Sequence, residues 1–264
     1  REILVHSQEL FGDEDAVRYK TGPKKVEAKS YTQLREDSES FSRAVCALGE
    51  QGSHLAVIGN TSYHWLTAYL GIVNAKSVAV PLDVSLPAEE LCELMDRADV
   101  TALVLDECRL DVADLARSRC PKLKHLISMQ KEAHGDGWLS MEQLLRENAG
   151  VFDEEPEPDQ LCTIMFTSGT TGKSKGVMLT HRNLAENATC LDMKIPARTV
   201  ILSVLPIHHA YCLSMDILKG LSLGSVICIN DSLMRVAKNI KLFQPNMILM
   251  VPLMIETMAK KLED

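Results

Sequence analysis

Thr163-Ile164-Met165-Phe166-Thr167-Ser168-Gly169-Thr170-Thr171-Gly172-Lys173-Ser174-Lys175-Gly176-Val177 opens on a short apolar run and passes into an unbroken tract of Gly, Ser, Thr and Lys, from Thr167 to Gly176. Apolar residues return at Val177-Met178-Leu179. The flanks predict two strands and the tract between them a loop. Gly brings no side-chain bulk, so such a loop can bare several backbone N–H groups, and its hydroxyls and ammonium groups add further donors. That donor set suits a polyphosphate. Gly172-Lys173-Ser174 ends like a P-loop, but that motif needs a Gly five residues before its last Gly, and position 167 is Thr167. It also needs a helix directly after the Lys, where Gly176 and a second strand stand instead. The predicted element is a hairpin over the ligand.

Outward from this loop, short apolar runs alternate with segments of helical period. Leu55-Ala56-Val57-Ile58-Gly59-Asn60 reads as a buried strand, with Trp65, Tyr69, Ile72 and Val73 at helical spacing behind it. Val78-Ala79-Val80-Pro81 is the next strand. A helix opens near Pro87, with Glu89 and Glu90 in its first turn, where the helix dipole favours acid. Ala102 to Leu105 precedes a helix over Asp111 to Ser118, and Leu126-Ile127 precedes one over Met141 to Glu147. Downstream strands are expected at Cys162 to Phe166, Val200 to Leu205, Ser225 to Ile229 and Met247 to Val251. Helices are expected at Arg182 to Leu191, Tyr211 to Leu221, Leu233 to Phe243 and Leu253 to Leu262. Strands spaced by helices of this length pair in parallel through right-handed crossovers, so the class is α/β with mostly parallel sheets flanked by helices. Glu154-Glu155-Pro156-Glu157-Pro158-Asp159 reads as an exposed connection.

Composition narrows the function classes. The 264 residues carry 28 Lys and Arg against 36 Asp and Glu, a net charge of −8, with 46% apolar and 24% charged residues. That is the profile of an ordinary globular chain. With no block of Lys and Arg, it is a poor binder of a nucleic-acid backbone. The longest apolar run, Met247 to Ile255, is nine residues and contains Pro252, well short of the roughly 18 that a membrane-spanning helix needs. Peripheral membrane contact stays open. Arg1 to Glu9 lack the order of a secretory signal. Of the eight Cys, no two are closer than twelve residues, which excludes CxxC metal and redox pairs. Most are expected to be reduced thiols of a cytoplasmic protein.

The loop resembles the signature of the adenylate-forming (AMP-binding) enzymes, the superfamily of acyl-CoA synthetases, luciferases and peptide-synthetase adenylation domains. Thr167-Ser168-Gly169-Thr170-Thr171-Gly172 matches that signature residue for residue and Lys175-Gly176-Val177 completes it, while Ser174 stands where Pro is common in the family. The likeness extends along the chain. Ser30-Tyr31-Thr32-Gln33-Leu34 is similar to the family's turn before an early helix. Leu55 to Ile58, Asn60-Thr61-Ser62, Trp65, Ala68, Leu70-Gly71 and Val80-Pro81-Leu82-Asp83 follow its next block. Leu205-Pro206-Ile207-His208-His209 is similar to its substrate-side motif, with His209 at a position usually held by His or an aromatic residue. Without the resemblance, a His pair in or after a strand reads as structural, its two members facing opposite ways. The match lifts His209 as a catalytic candidate and leaves His208 structural.

By this resemblance, Thr167, Ser168, Gly169, Thr170, Thr171 and Gly172 would cradle the β- and γ-phosphates of ATP, and Lys175 would add a positive charge. Thr170 would contact Mg²⁺ directly or through water. The implied enzyme is an acid–thiol ligase that forms an acyl-adenylate with release of pyrophosphate and passes the acyl group to coenzyme A. Bacterial long-chain fatty acyl-CoA ligases look most similar. His208 to Leu213 holds no acid to pair with an α-ammonium group, which favours a fatty acid over an amino acid. Two alternatives stay open: an aryl- or amino-acid adenylation domain loading a carrier protein, and a non-catalytic nucleotide-binding module. The resemblance further implies an incomplete large N-terminal domain. Residues 53–193 would form a first α/β subdomain bearing the loop, and 1–52 and 194–264 would contribute to a second. The family's adenine, ribose and catalytic-Lys motifs would lie beyond Asp264, leaving this fragment alone inactive.

Overall fold

The computed structural model describes residues 1–22, 25–130, 135–167, 174–190 and 194–256. α1 (Glu2–Phe11) leads into β1 (Asp15–Lys20) and β2 (Val26–Ser30), an antiparallel pair. α2 (Tyr31–Ala47) starts on a capping box. Ser30 Oγ accepts from the Gln33 N–H at 3.1 Å and Gln33 Oε1 accepts from the Ser30 N–H at 3.0 Å, which satisfies two donors at the helix start. Then β3 (His54–Ile58), α3 (Tyr63–Asn74), β4 (Val78–Leu82), α4 (Ala88–Arg97), β5 (Val100–Leu105), α5 (Leu110–Arg119), β6 (His125–Ser128), β7 (Trp138–Ser140) and α6 (Met141–Glu147) follow. After β8 (Leu161–Thr167), β9 (Lys175–Thr180) and α7 (His181–Cys190) comes β10 (Val200–Ser203). A π-helical segment, Cys212–Leu218, runs into α8 (Lys219–Ser222), before β11 (Val226–Ile229) and α9 (Val236–Phe243).

Among the described residues the strands form two sheets. The larger has the order β7-β6-β5-β3-β4-β8-β9, the smaller β10-β11-β1-β2. All pairings in the larger are parallel except β8 with β9, and in the smaller only β1 with β2 is antiparallel. The α/β class read from the sequence is the class observed. Leu55 and Val57 face one core with Phe41, Trp65 and Tyr69 of α2 and α3. Ala56 and Ile58 face a second core with Leu91, Met95, Val112 and Ala116 of α4 and α5. Covering both faces is what makes the strands nearly continuous apolar runs. The first core also takes in Leu202 and Ile227 of the smaller sheet, so the two sheets share packing. The helices α2 and α3 meet at Gly71, where an added Cβ would stand 2.7 Å from Phe41 Cβ.

Two expectations need correction. Met247 to Val251 is not a strand: Met247 alone bridges to Ile201, and residues 252–256 are helical. The half-buried Ile248, Leu249 and Met250 pack on the first core instead of extending the ladder, and Pro252, which can donate no ladder bond, stands at the start of the helical turn. Tyr211 to Leu221 is helical, but its first part winds as a π-helix. The hairpin of β1 and β2 and the helix α1 add elements that the sequence reading lacked. The expected Leu191, and the end of the last predicted helix from residue 257, lie outside the described residues. No helix among the described residues is long and apolar enough to cross a membrane. Cys92, Cys120, Cys162, Cys212 and Cys228 are buried free thiols, while Cys108 and Cys190 are exposed.

Candidate functional site

Because β3, β4, β5 and β8 run the same way, their carboxyl ends share one edge of the larger sheet, the edge where open parallel sheets receive ligands. Thr167, the last residue of β8, pairs in register with Lys175, the first of β9, and both are exposed. A hydroxyl and an ammonium group therefore stand together at the root of the Gly/Ser/Thr/Lys loop. Ser168, Gly169, Thr170, Thr171 and Gly172 lie outside the described residues, and the predicted metal contact at Thr170 lies there too. Among the described residues, no group of three or more His, Cys, Asp or Glu could hold a metal ion.

The ends of β3 and β5 close tightly beside this edge. A Cβ on Gly59 would come within 2.7 Å of Asp106 Cβ, and Asp106 accepts from the Asn60 N–H and from Gln130 Nε2, each at 3.4 Å. The second wall comes from the segment after β10. The Ile207 N–H donates to Thr61 Oγ1 at 3.4 Å, and His208 Nε2 lies 3.6 Å from Asp83 Oδ1. Asp83 follows β4, and its Oδ1 accepts from the Ser85 N–H at 2.8 Å and from Ser85 Oγ at 2.7 Å. The loops after β3, β4 and β10 thus meet at one place.

Burial fixes the charge state of His208, and local donors fix that of Asp83. The His208 side chain is only 9% exposed. Burial, and then the neighbouring His209, push its pKa down to about 4 against the pull of Asp83, so the imidazole is neutral at neutral pH. Burial alone would raise Asp83, but the Ser85 donors and the two imidazoles outweigh it and hold the carboxyl below its usual value. His209 is exposed, its ring 4.3 Å from that of His208 at an interplanar angle of 51°. Backbone bonds from its N–H to Pro206 O at 3.1 Å, and from the Leu213 N–H to its own carbonyl at 3.0 Å, fix it at the head of the π-helical segment.

Behind that segment a polar cluster is sealed in. Cys212 Sγ donates to Leu205 O at 3.2 Å and lies 3.5 Å from Ser203 Oγ. Asp216 is fully buried, with no partner for Oδ1. Burial lifts its pKa to about 7, while Ser203 and Cys212 pull it down. Segments of π-helix recur at functional sites.

Of the predicted site residues, Thr167 and Lys175 are brought together, and His209 is exposed to solvent next to the sealed His208. The pairing of Asp83 with His208 is what residue-level reading missed. The available signal was Asp83-Val84-Ser85 directly after a strand, a side-chain turn that fixes a carboxylate in place.

The AMP-binding enzyme family matches residues 4–264. A methyl-dioxo-octahydroindenyl-propanoyl:CoA ligase of Mycobacterium tuberculosis is 30% identical over 208 residues, covering 74% of this chain and 40% of that protein. A long-chain-fatty-acid–CoA ligase of Thermus thermophilus is 26% identical over 221 residues, 80% of this chain and 40% of that protein. The chain therefore spans well under half the length of these relatives. Among solved structures, the inhibitor-bound N-terminal domain of FACL13 from Mycobacterium tuberculosis shares the fold with a TM-score of 0.84 at 21% identity, over 97% of this chain and 63% of that one.

Proposed function

The chain belongs to the AMP-binding enzyme family, and on that premise we propose that it supplies the phosphate-gripping part of an enzyme that activates a carboxylic acid with ATP. One carboxylate oxygen attacks the α-phosphorus, the bond from that phosphorus to the bridging oxygen breaks, and pyrophosphate leaves with the electron pair. The acyl-adenylate would then pass its acyl group to the thiol of coenzyme A, releasing AMP. The observation that carries this reading is the pairing of Thr167 with Lys175 at the carboxyl edge of a parallel sheet. It sets a cation and a hydroxyl at the root of a loop rich in donors. Such a group acts by position and charge, steadying the negative charge that builds on the leaving pyrophosphate. Mg²⁺ bound with the triphosphate would neutralise part of that charge; of this chain's residues, Thr170 is the one we assign to it.

In the same proposal Ser168 to Gly172 cradle the β- and γ-phosphates, and His209 borders the acid. His209 is exposed where His208 is sealed and neutral, which supports giving the substrate-side role to His209. We prefer a fatty acid because His208 to Leu213 holds no acid to pair with an α-ammonium group. Residues 53–193 would act as the loop-bearing subdomain, with 1–52 and 194–264 in a second. The test is pyrophosphate release by the whole protein given ATP and a panel of fatty, aryl and amino acids. Release with fatty acids supports the reading; release with amino acids alone would move it to carrier-protein loading, and ATP binding with no release to a non-catalytic module.

A further inference from the structure

We propose that Arg97, the last residue of α4, is a positioning residue for the phosphate loop. Its guanidinium centre lies 5.6 Å from the centroid of the Phe166 ring, and its Nη2 donates to the Ser174 carbonyl at 2.8 Å. Phe166 immediately precedes Thr167 and Ser174 immediately precedes Lys175, so one side chain holds both strands at the root of the loop. The other edge of the fork is steadied by Glu93 one turn back, 3.9 Å from Nη1.

The residue type matters. A guanidinium is flat, so it can lie against an aromatic face and still aim an N–H at a carbonyl, whereas an ammonium group offers only a point charge. Its place in the last turn of α4 also puts a cation near the helix's carboxyl end, where a positive charge is favoured. Fixing Phe166 and Ser174 in advance leaves the two ends of the phosphate site less conformational entropy to lose when a triphosphate binds. Arg97 itself touches neither Thr167 nor Lys175 in the contacts seen here, so its action passes through Phe166 and Ser174. The inference rests on the reading of the loop as a phosphate site.

The experiment compares wild type, Arg97→Gln, Arg97→Lys, Phe166→Leu and the Arg97→Gln, Phe166→Leu double variant in the whole protein. MgATP binding is read by titration calorimetry, and KM and kcat for ATP by pyrophosphate release. Arg97 is 39% exposed, so the unfolding midpoint should stay at the wild-type value. Arg97→Gln should weaken MgATP binding roughly five- to tenfold, the effect of one charge-assisted hydrogen bond discounted for solvent. The KM for ATP should rise by the same factor, with kcat nearly constant. Arg97→Lys should recover less than half of the loss, and the double variant should lose less than the sum of the singles. Wild-type binding by Arg97→Gln overturns the proposal. So does full rescue by Arg97→Lys, which would reduce the effect to diffuse charge, and so does a fall in unfolding midpoint that accounts for the lost binding. If wild type itself binds no MgATP, the phosphate-loop reading fails, and this inference fails with it; a normal wild type beside an unaffected Arg97→Gln condemns only the role of Arg97.

Discussion

Gly71→Ala sets two effects of opposite sign against each other. Gly71 lies within α3, and replacing Gly by Ala inside a helix is worth about 1 kcal/mol of stabilisation through backbone entropy. The added Cβ, however, would stand 2.7 Å from Phe41 Cβ, 2.8 Å from Phe41 Cδ1 and 3.0 Å from Ser38 O. Ordinary contact begins at 3.4 Å, so the helices must part by 3.4 − 2.7 = 0.7 Å. Phe41 is fully buried and its Cβ is rigidly tied to α2, so it cannot swing aside. Overpacking of this kind costs about 1–3 kcal/mol. Separating the helices also stretches the bond from Ser42 Oγ to Gly71 O, now 2.9 Å, worth about 0.5–1.5 kcal/mol. The balance is a destabilisation of about 2 kcal/mol, within about 0.5–3.5. Urea unfolding followed by circular dichroism should show a lower midpoint at an unchanged slope. An equal or higher midpoint would mean that α2 and α3 do not meet as described, and the packing argument would be wrong.

Lys175→Ala should raise the KM for ATP by roughly tenfold, the weight of one charge-assisted contact, while leaving the unfolding midpoint alone because Lys175 is exposed; equal kinetics would remove it from the site. Glu50 is fully buried, accepting from Thr101 and from Lys124 Nζ at 3.3 Å, with His125 Nε2 at 3.5 Å. Burial raises its pKa, but the bonds from Thr101, Ser53 and Lys124 outweigh this and leave it lowered. Its contribution is therefore complete above the free-carboxylate range near pH 4.3 and is lost as pH falls through the folded value. Glu50→Gln should cost about 1 kcal/mol at neutral pH, and the gap in urea midpoint should narrow on acidification; a constant gap contradicts the assignment. His208, held at about 4 against an ordinary 6.5, should stay neutral down to mildly acid pH. Its native-state advantage is complete above the ordinary value and is lost as pH drops towards the folded one. Ring NMR shifts of His208 that titrate at the ordinary value would refute its burial.

The parts of the fold that the residues announced are those where local pattern and final environment agree. Leu55 to Ile58 and Ala102 to Leu105 are apolar throughout because both faces of their sheet are covered, and Ser30 with Gln33 marks a helix start by a local bond pair. The hairpin of β1 and β2 gave no such signal. Arg18, Lys20, Glu27 and Lys29 interrupt it, since its last strand lies at the edge of the smaller sheet, and its partner β11 lies some two hundred residues along the chain. Met247 to Val251 carried the opposite error, an apolar run whose residues pack on a core while only Met247 pairs. At the site, the loop composition was legible, but the meeting of Asp83 with His208 depends on two chain segments folding against each other. That one His of the pair would be structural was legible; which carboxylate it would face was not.

The π-helical turn beneath His209 has an evolutionary reading. A wound segment of this type, Cys212–Leu218, contains slack that an ordinary helix lacks. Deleting one residue there would let it rewind as an α-helix while α8 and the segment ahead of the cut both stayed seated. Only the side chains beside the cut would change their bearing. A single-codon loss is thus a route by which the sealed pair of Cys212 and Asp216 could be re-lined without rebuilding the core.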